Sequence, residues 1–259
     1  MSTATTSSVA VAVHIARRSL LLIPRVPSTF IPSLVFPVFT VVVFSNAFGA
    51  IAQLPGFPVD KMLDWMLPMA VVQGGAFTGV TVGLGAARDL ENGFFDRFLT
   101  APVRPSAILA GAYLAAVVRA IIPVSLVIAA GLLSGANLRG GPAGIAVLVL
   151  AAEGAALAAG GWGLGLALRA KTVRIAPLMQ VGIFLAVFLS TAQVPLDIMT
   201  GWLHAVAAVN PTTSVLGLGR QGFLGSVTWA STWPGLVAIA GMGAFFGVFA
   251  VRGLRSLRP

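Results

Sequence analysis

The chain has 259 residues, 58% of them hydrophobic and only 9% charged, with no cysteine and a formal net charge of +9. Soluble domains carry about a quarter charged residues, so the composition excludes a water-soluble fold and points to an integral membrane protein. Disulfides, thiolate nucleophiles and cysteine-bound metals are excluded as well. The basic residues fall at the ends of apolar segments, as topology signals do, and not on a soluble module that would bind nucleic acid.

No polar block is long enough for a second domain, so residues 1–259 read as one membrane domain, with 1–25 as a cytoplasmic or interfacial segment. After the small, polar MSTATTSS, the residues Val9, Val13, Ala16, Leu20 and Ile23 recur at helical spacing with His14, Arg17 and Arg18 between them. This fits an interfacial helix; a solvated tail is the alternative. Crossing a bilayer takes about 20 residues, and the uncharged run from Val26 to Val59 places a first crossing at Thr29 to Gln53. The turn LPGFPVDKMLDW leads to a second at Trp65 to Ala87, where Gly75, Gly79, Gly83 and Gly85 offer a small-residue face for close helix contact.

Ser106 to Ser134 is the third crossing, Ala143 to Leu168 the fourth and Ile175 to Gln193 the fifth. Between Val194 and Thr232 the apolar runs are short and broken by Pro195, Gly201, Asn210 and Pro211, which predicts re-entrant or surface helices. A hidden seventh crossing is the competing topology. Trp233 to Val251 is the sixth, followed by the basic tail RGLRSLRP. The expected fold is therefore all-α, with six transmembrane helices.

Arg17, Arg18, Arg25, Arg88, Arg97, Arg104, Arg169, Lys171, Arg174, Arg252, Arg255 and Arg258 fall on one side of these crossings, against Lys61, Arg139 and Arg220 on the other. The positive-inside rule then puts both termini in the cytoplasm, and Trp65, Trp202, Trp229 and Trp233 form an outer aromatic belt.

The most densely charged stretch is RDLENGFFDRFLTAPVR, Arg88 to Arg104. Taken as a helix from Leu90 with Asp89 as its N-cap, it sets Leu90, Phe94, Phe95, Phe98 and Leu99 on one arc opposite Asn92, Gly93 and Asp96. Glu91 breaks the pattern by pointing towards the apolar arc. Pro102 and Pro105 end the element. Physics alone leaves an amphipathic surface helix and an ordinary cytoplasmic loop as equal readings.

Arg119 and Glu153 lie near the middles of the third and fourth crossings at similar depth. A charge there costs roughly 2.5–3.5 kcal/mol on insertion scales, so a mutual pair is expected, either as a helix clamp or as a polar element of a path. GLALRAKT, Gly165 to Thr172, nearly matches a phosphate-binding loop, but Ala170 replaces the second glycine and the segment ends a membrane helix. His14 and His204 fall on opposite sides, and Asp60, Asp64 and Asp197 lack metal-ligand spacing.

Glu91, Gly93, the run Asp96 to Leu99, then Ala101 to Arg104 and Ile108 to Gly111 resemble the loop between the second and third crossings of type 2 ABC export permeases, in the branch of the daunorubicin-resistance membrane subunits. A second match, in the right order, is Val194-Pro195, Trp202-Leu203, Asn210-Pro211-Thr212-Thr213 and Arg220. The family often has Thr-Pro or Ser-Pro where this chain has Ala101-Pro102.

The resemblance implies a homo- or heterodimer of such subunits, in the lipid of the cell membrane, paired with cytoplasmic ATPase subunits. ATP and Mg would be used by that partner and no cofactor or metal bound here. It makes Asp89, Glu91, Phe94, Phe95, Asp96, Arg97, Phe98 and Arg104 the candidate ATPase-coupling residues, and Pro195, Asn210 and Pro211 an outer re-entrant element. The implied activity is export of a hydrophobic or amphipathic, drug-like cargo; a lipid-linked polysaccharide or other lipid-like molecule is the alternative on the same fold. A membrane-embedded lipid-modifying enzyme would need clustered acids or histidines at one face, and a secondary transporter would run on an ion gradient. The high arginine, alanine and glycine content suggests a bacterial source.

Overall fold

The computed structural model describes residues 8–21, 27–95, 105–225 and 227–257. Its regular structure is helical throughout: α1 (Ser8–Leu21), α2 (Pro27–Ala47), α3 (Met62–Glu91), α4 (Pro105–Leu133), α5 (Gly141–Ala170), α6 (Ala176–Phe188), α7 (Gly201–Val209), α8 (Pro211–Leu224) and α9 (Trp229–Arg255). Short 3-10 turns at Gly49–Gln53, Val173–Ile175 and Leu196–Ile198 join them. Four helices are long and apolar enough to cross a membrane, namely α3, α4, α5 and α9, while α2 and α6 contribute shorter apolar segments.

α3 is the central helix. It is apolar around most of its circumference, as an enclosed helix must be, and Met66, Leu67, Met69, Ala70, Val71 and Val72 are all completely or almost completely buried. α2, α4, α5 and α8 pack around it. The closest approach is to α5: a Cβ built on Gly75 would lie 2.3 Å from the Ala152 carbonyl oxygen, and one on Gly79 would lie 2.2 Å from that of Ala156. At Gly83 the same atom would meet the Gly163 backbone at 2.3 Å. Three glycines one turn apart thus let two backbones touch, the geometry of small-residue membrane packing. Gly85 is outside this seam and has open space where a side chain would go.

The opposite side of α5 receives α9. Gly154, Gly161 and Gly165 leave room for Ile239, Phe246 and Phe249, and Trp162 stacks on Phe249 with ring centroids 6.0 Å apart.

Several boundaries differ from the sequence reading, among them the end of α2, which stops at Ala47 where the first crossing was expected to run to Gln53. α3 starts at Met62 and runs on to Glu91, and α9 starts at Trp229. The expected fifth crossing is shorter: α6 stops at Phe188, and Ser190, Thr191 and Ala192 form a buried turn. α7 is the surface helix that was expected, with only Ala207 buried. α8 is not; Val215, Leu216, Leu218 and Phe223 are buried among α3, α5 and α9. Its 14 residues span about 21 Å, against a hydrocarbon core of about 30 Å.

α1 packs against α4 through Ala12 and Ala16, the latter a member of the expected stripe. Val9 and Val13 are 70% and 49% exposed, whereas Ala12 and Ala16 are buried. The approach is close at Gly111 of α4, where a Cβ would sit 2.8 Å from both the Ala12 carbonyl oxygen and the Ile15 Cβ, so a glycine on α4 is what admits this face of α1. Ile23 lies outside the described residues.

Candidate functional site

The basic end of the bundle gathers the last turn of α3, α1, the turn after α5 and the end of α9. α3 continues unbroken through Asp89, Leu90 and Glu91, and Asn92 caps it. Gly93, at φ 68°, then reverses the chain in a conformation that favours glycine. No new helix begins at Leu90, and Asp89 is a last-turn residue instead of an N-cap. Nothing between Ala87 and Leu90 interrupts helix formation, so the spanning helix runs on into the polar stretch.

An aspartate in a last turn opposes the helix dipole. Here Arg18 of α1 offsets it, donating from Nη1 and Nη2 to the two carboxylate oxygens of Asp89 at 2.8 Å each. The same guanidinium lies 4.3 Å from the centroid of the Phe94 ring. Hydrogen bonding to Asp89 pushes the Arg18 pKa further up from its ordinary value. Phe95 is buried in a cluster with Ala16, Val82, Ile108, Leu109 and Leu168, and its backbone N–H donates to the Asp89 carbonyl at 3.0 Å.

Glu91 has a definite partner. Its carboxylate accepts from the Thr172 hydroxyl and from the Val173 N–H, both at 3.2 Å. The inward direction that made it an exception on a surface helix is the direction of the α5–α6 turn. Carboxylate oxygens on the free N–H groups at the start of a helical turn are favourable. Asp89 and Glu91, two residues apart, therefore tie one helix end to α1 on one side and to the α5–α6 connection on the other. Replacing Glu91 by alanine is expected to speed amide exchange at Val173 by roughly fivefold, the effect of one lost hydrogen bond, with the unfolding midpoint nearly unchanged; hydrogen-exchange mass spectrometry of the detergent-solubilised chain reads this. Asp96, Arg97, Phe98 and Arg104 lie outside the described residues.

Beyond that turn, Arg169 donates to the Gly165 and Phe249 carbonyls at 2.7 and 3.0 Å and stacks on Phe249, joining α5 to α9. Lys171 caps α5 in the left-handed region, φ 55°. The segment from Gly165 to Thr172 is helix followed by a turn, without the strand that a phosphate-binding loop requires.

A cleft of about 290 Å³ opens beneath α1, between α3, α4 and α5. Its polar lining includes Arg18, Arg88, Arg119 and Asp89, with Ser19, Thr81 and Asn92. Arg119 does not pair with Glu153. Its Nη1 donates to the Ser19 Oγ at 3.1 Å, while both Glu153 carboxylate oxygens are buried without a partner among the described residues. Register explains the miss. Gly160 faces Ala116 where α4 and α5 run antiparallel, so Glu153 lies level with Pro123, about 6 Å along the axis from Arg119 at 1.5 Å per residue.

The far end is organised by α8. Asn210 accepts from the Thr212 N–H at 2.9 Å, capping α8, while its Nδ2 donates to the Ala186 and Leu189 carbonyls at 2.8 and 2.9 Å, capping the end of α6. Pro211 takes the first position of α8, where its missing N–H costs nothing. Pro195 begins the 3-10 turn Leu196–Ile198.

Arg220, counted with the few basic residues of the outer side, is only 2% exposed. It donates to the Trp65 carbonyl, the Thr191 hydroxyl and the Ala192 carbonyl, and lies 3.7 Å from the centroid of the Trp65 ring. Trp65 is accordingly buried and not part of an interfacial belt, whereas Trp202, Trp229 and Trp233 are exposed. The signal for this was in the sequence: Arg220 lies among Leu218, Gly219, Gly222 and Phe223, which offer no polar face.

The geometry agrees with the comparisons. Residues 12–224 match the model of the ABC-2 type transporter family. The daunorubicin resistance ABC transporter permease protein DrrB1 of Streptomyces coeruleorubidus is 26% identical over 238 residues, covering 91% of this chain and 82% of that protein. The putative transport permease ycf38 of Pyropia yezoensis is 27% identical over 219 residues, 83% of this chain and 74% of that one. With its long apolar helices, this multi-pass membrane protein belongs to the ABC-2 type transporter family.

Proposed function

We propose that the chain is the permease subunit of an ATP-driven exporter in the cell membrane, working as a dimer with separate cytoplasmic ATPase subunits, which use the ATP and Mg. Residues 1–259 act as one transmembrane domain, with six crossings and both termini inside. Four long helices support this count. So does α2, whose 21 residues extend about 31 Å, and the apolar segment Val173–Phe188. The orientation rests on Arg17, Arg18, Arg88, Arg169, Lys171, Arg174, Arg252 and Arg255 at one end, against Lys61 and Arg139 exposed at the other.

The observation that carries the reading is the double tether of the α3 end. Asp89 holds α1, Glu91 holds the α5–α6 turn, and in sequence the stretch from Asp96 to Arg104 follows α3 and leads into α4. A push on that stretch by a partner that closes on ATP would reach α3 and α4 directly. It would reach α1 and the α5–α6 turn through the two carboxylates. Asp89, Glu91, Asp96, Arg97 and Arg104 supply the polar contacts in this scheme, and Phe94, Phe95 and Phe98 anchor the element. The cargo is hydrophobic or amphipathic and drug-like, a reading that draws on the name of the daunorubicin resistance relative.

Co-expression with an ABC ATPase, sought first in the neighbouring reading frame, should give a stable complex whose ATP hydrolysis rises with an amphipathic drug such as an anthracycline in liposomes. Arg97→Glu is expected to leave insertion intact and abolish that stimulation. A chain that never binds an ATPase, or full transport by Arg97→Glu, would overturn the proposal.

A further inference from the structure

The cleft under α1 holds an imbalance that the transport scheme does not use. Three guanidinium groups line it, from Arg18, Arg88 and Arg119, against the single carboxylate of Asp89. Arg18 already saturates that carboxylate through two hydrogen bonds. Arg119 is 6% exposed; among the described residues its one hydrogen bond is to the Ser19 hydroxyl, and its Nε is buried with no partner. Arg88 is half-buried at the same cleft and forms no ion pair among the described residues. A buried, always-charged guanidinium without a counter-charge is costly unless something else neutralises it.

The rest of the lining narrows the chemistry. Ile15, Ile108, Leu109, Leu164 and Leu168 make one wall apolar. At about 290 Å³ the cleft is at the lower limit of sites that enclose a drug-sized molecule, which run roughly 300–1,000 Å³. That is room for an anionic head group with a chain laid along the wall. Guanidinium forks match the oxygens of a phosphate better than any neutral group, and basic pockets between helices near a membrane face suit anionic head groups.

We propose that this cleft binds the phosphate group of an anionic ligand between Arg119 and Arg88, with the head group of an acidic membrane lipid as its natural source. The bound phosphate supplies the missing negative charge, and α1 forms one wall of the site through Ser19 and Ile15. The site shares Asp89 and Phe95 with the element assigned to the ATPase, but lipid retention is read without any ATPase, so it can fail or stand independently of the exporter reading.

The test uses the full-length chain, delipidated and returned to nanodiscs of dioleoyl phosphatidylglycerol or dioleoyl phosphatidylcholine, with retained lipid counted by native mass spectrometry. Phosphatidylglycerol should be retained about tenfold more than phosphatidylcholine, whose choline cancels the phosphate charge, and Arg119→Gln should erase the difference while Arg119→Lys restores part of it. Arg88→Gln, at the rim of the cleft, should weaken retention in the same direction and serves as the test if Arg119→Gln does not fold.

A parallel thermal-unfolding series with inorganic phosphate alone separates the two sources. A rise in midpoint with phosphate that disappears in the arginine variants, without selective lipid retention, supports the phosphate site and assigns it to a soluble ligand. Equal retention of both lipids together with no response to phosphate overturns the proposal, as does a selective retention of phosphatidylglycerol that persists unchanged in folded arginine variants.

Discussion

Gly79→Leu should abolish the folded protein: in fluorescence-detected size-exclusion chromatography, the monodisperse peak of the solubilised chain is expected to disappear. The Cβ alone would be 2.2 Å from the Ala156 carbonyl oxygen and 2.9 Å from the Gly160 nitrogen. Those are backbone atoms of a long helix, so neither can rotate aside. α3 and α5 would have to separate along a seam that also includes the Gly75–Ala152 and Gly83–Gly163 contacts. Overpacking by a single methylene in a tight core typically costs about 1–3 kcal/mol. Gly79→Ala should reach that range by itself, and the leucine variant should exceed it.

Gly243→Leu is the matching control. Gly243 has nothing within 4 Å of a built Cβ and lies on the outward side of α9. Its variant should elute normally. A normal peak for Gly79→Leu would mean that the two helices do not touch as described.

The second large effect is expected at Arg220. Arg220→Ala removes three hydrogen bonds and a cation–π contact from a fully enclosed position. Two terms oppose each other. Releasing an uncompensated buried charge relieves desolvation, while the Ala192 carbonyl, in a turn with no helical partner, loses its donor. Hydrogen bonds to charged groups contribute about 1.5–3 kcal/mol each, and a desolvated cation–π contact about 2 kcal/mol.

The contacts therefore outweigh the relief. A net loss of about 3 kcal/mol is expected, together with a cavity beneath Trp65. Arg220→Met should lose less than alanine because it keeps the volume. Thermal unfolding in detergent, with Trp65 fluorescence as a local probe, reads both. A more stable alanine variant would show that desolvation dominates.

Much of this arrangement was legible in the chain itself. Four spanning helices declare themselves by length and apolarity, because lipid admits no unsatisfied backbone and so leaves helices as the solution for these segments. Gly75, Gly79 and Gly83 recur at one-turn spacing and form the contact face as expected; Gly85, expected on the same face, breaks the spacing and lies outside it. Asn210-Pro211 was recognisable as the start of a short helix. The odd direction of Glu91 was also visible, since it depends only on local periodicity.

Partners were not visible. Which group Glu91 meets, whether Arg119 reaches Glu153 or Ser19, and which face of α1 turns inward all depend on how helices slide past one another. An axial offset of about 6 Å is a single turn, and sequence periodicity alone does not set it. That offset is decided by the closest backbone approaches, at Gly79 on Ala156 and Gly111 on Ala12. Composition and periodicity thus determined a helical membrane protein with its charge at one end. Only packing decided that α3 continues through Asp89 and Glu91 to bind α1 and the α5–α6 turn, that Arg220 is interior, and that Arg119 is left without a counter-charge. Steric contact between backbones is a property of two helices at once, and no single segment encodes it.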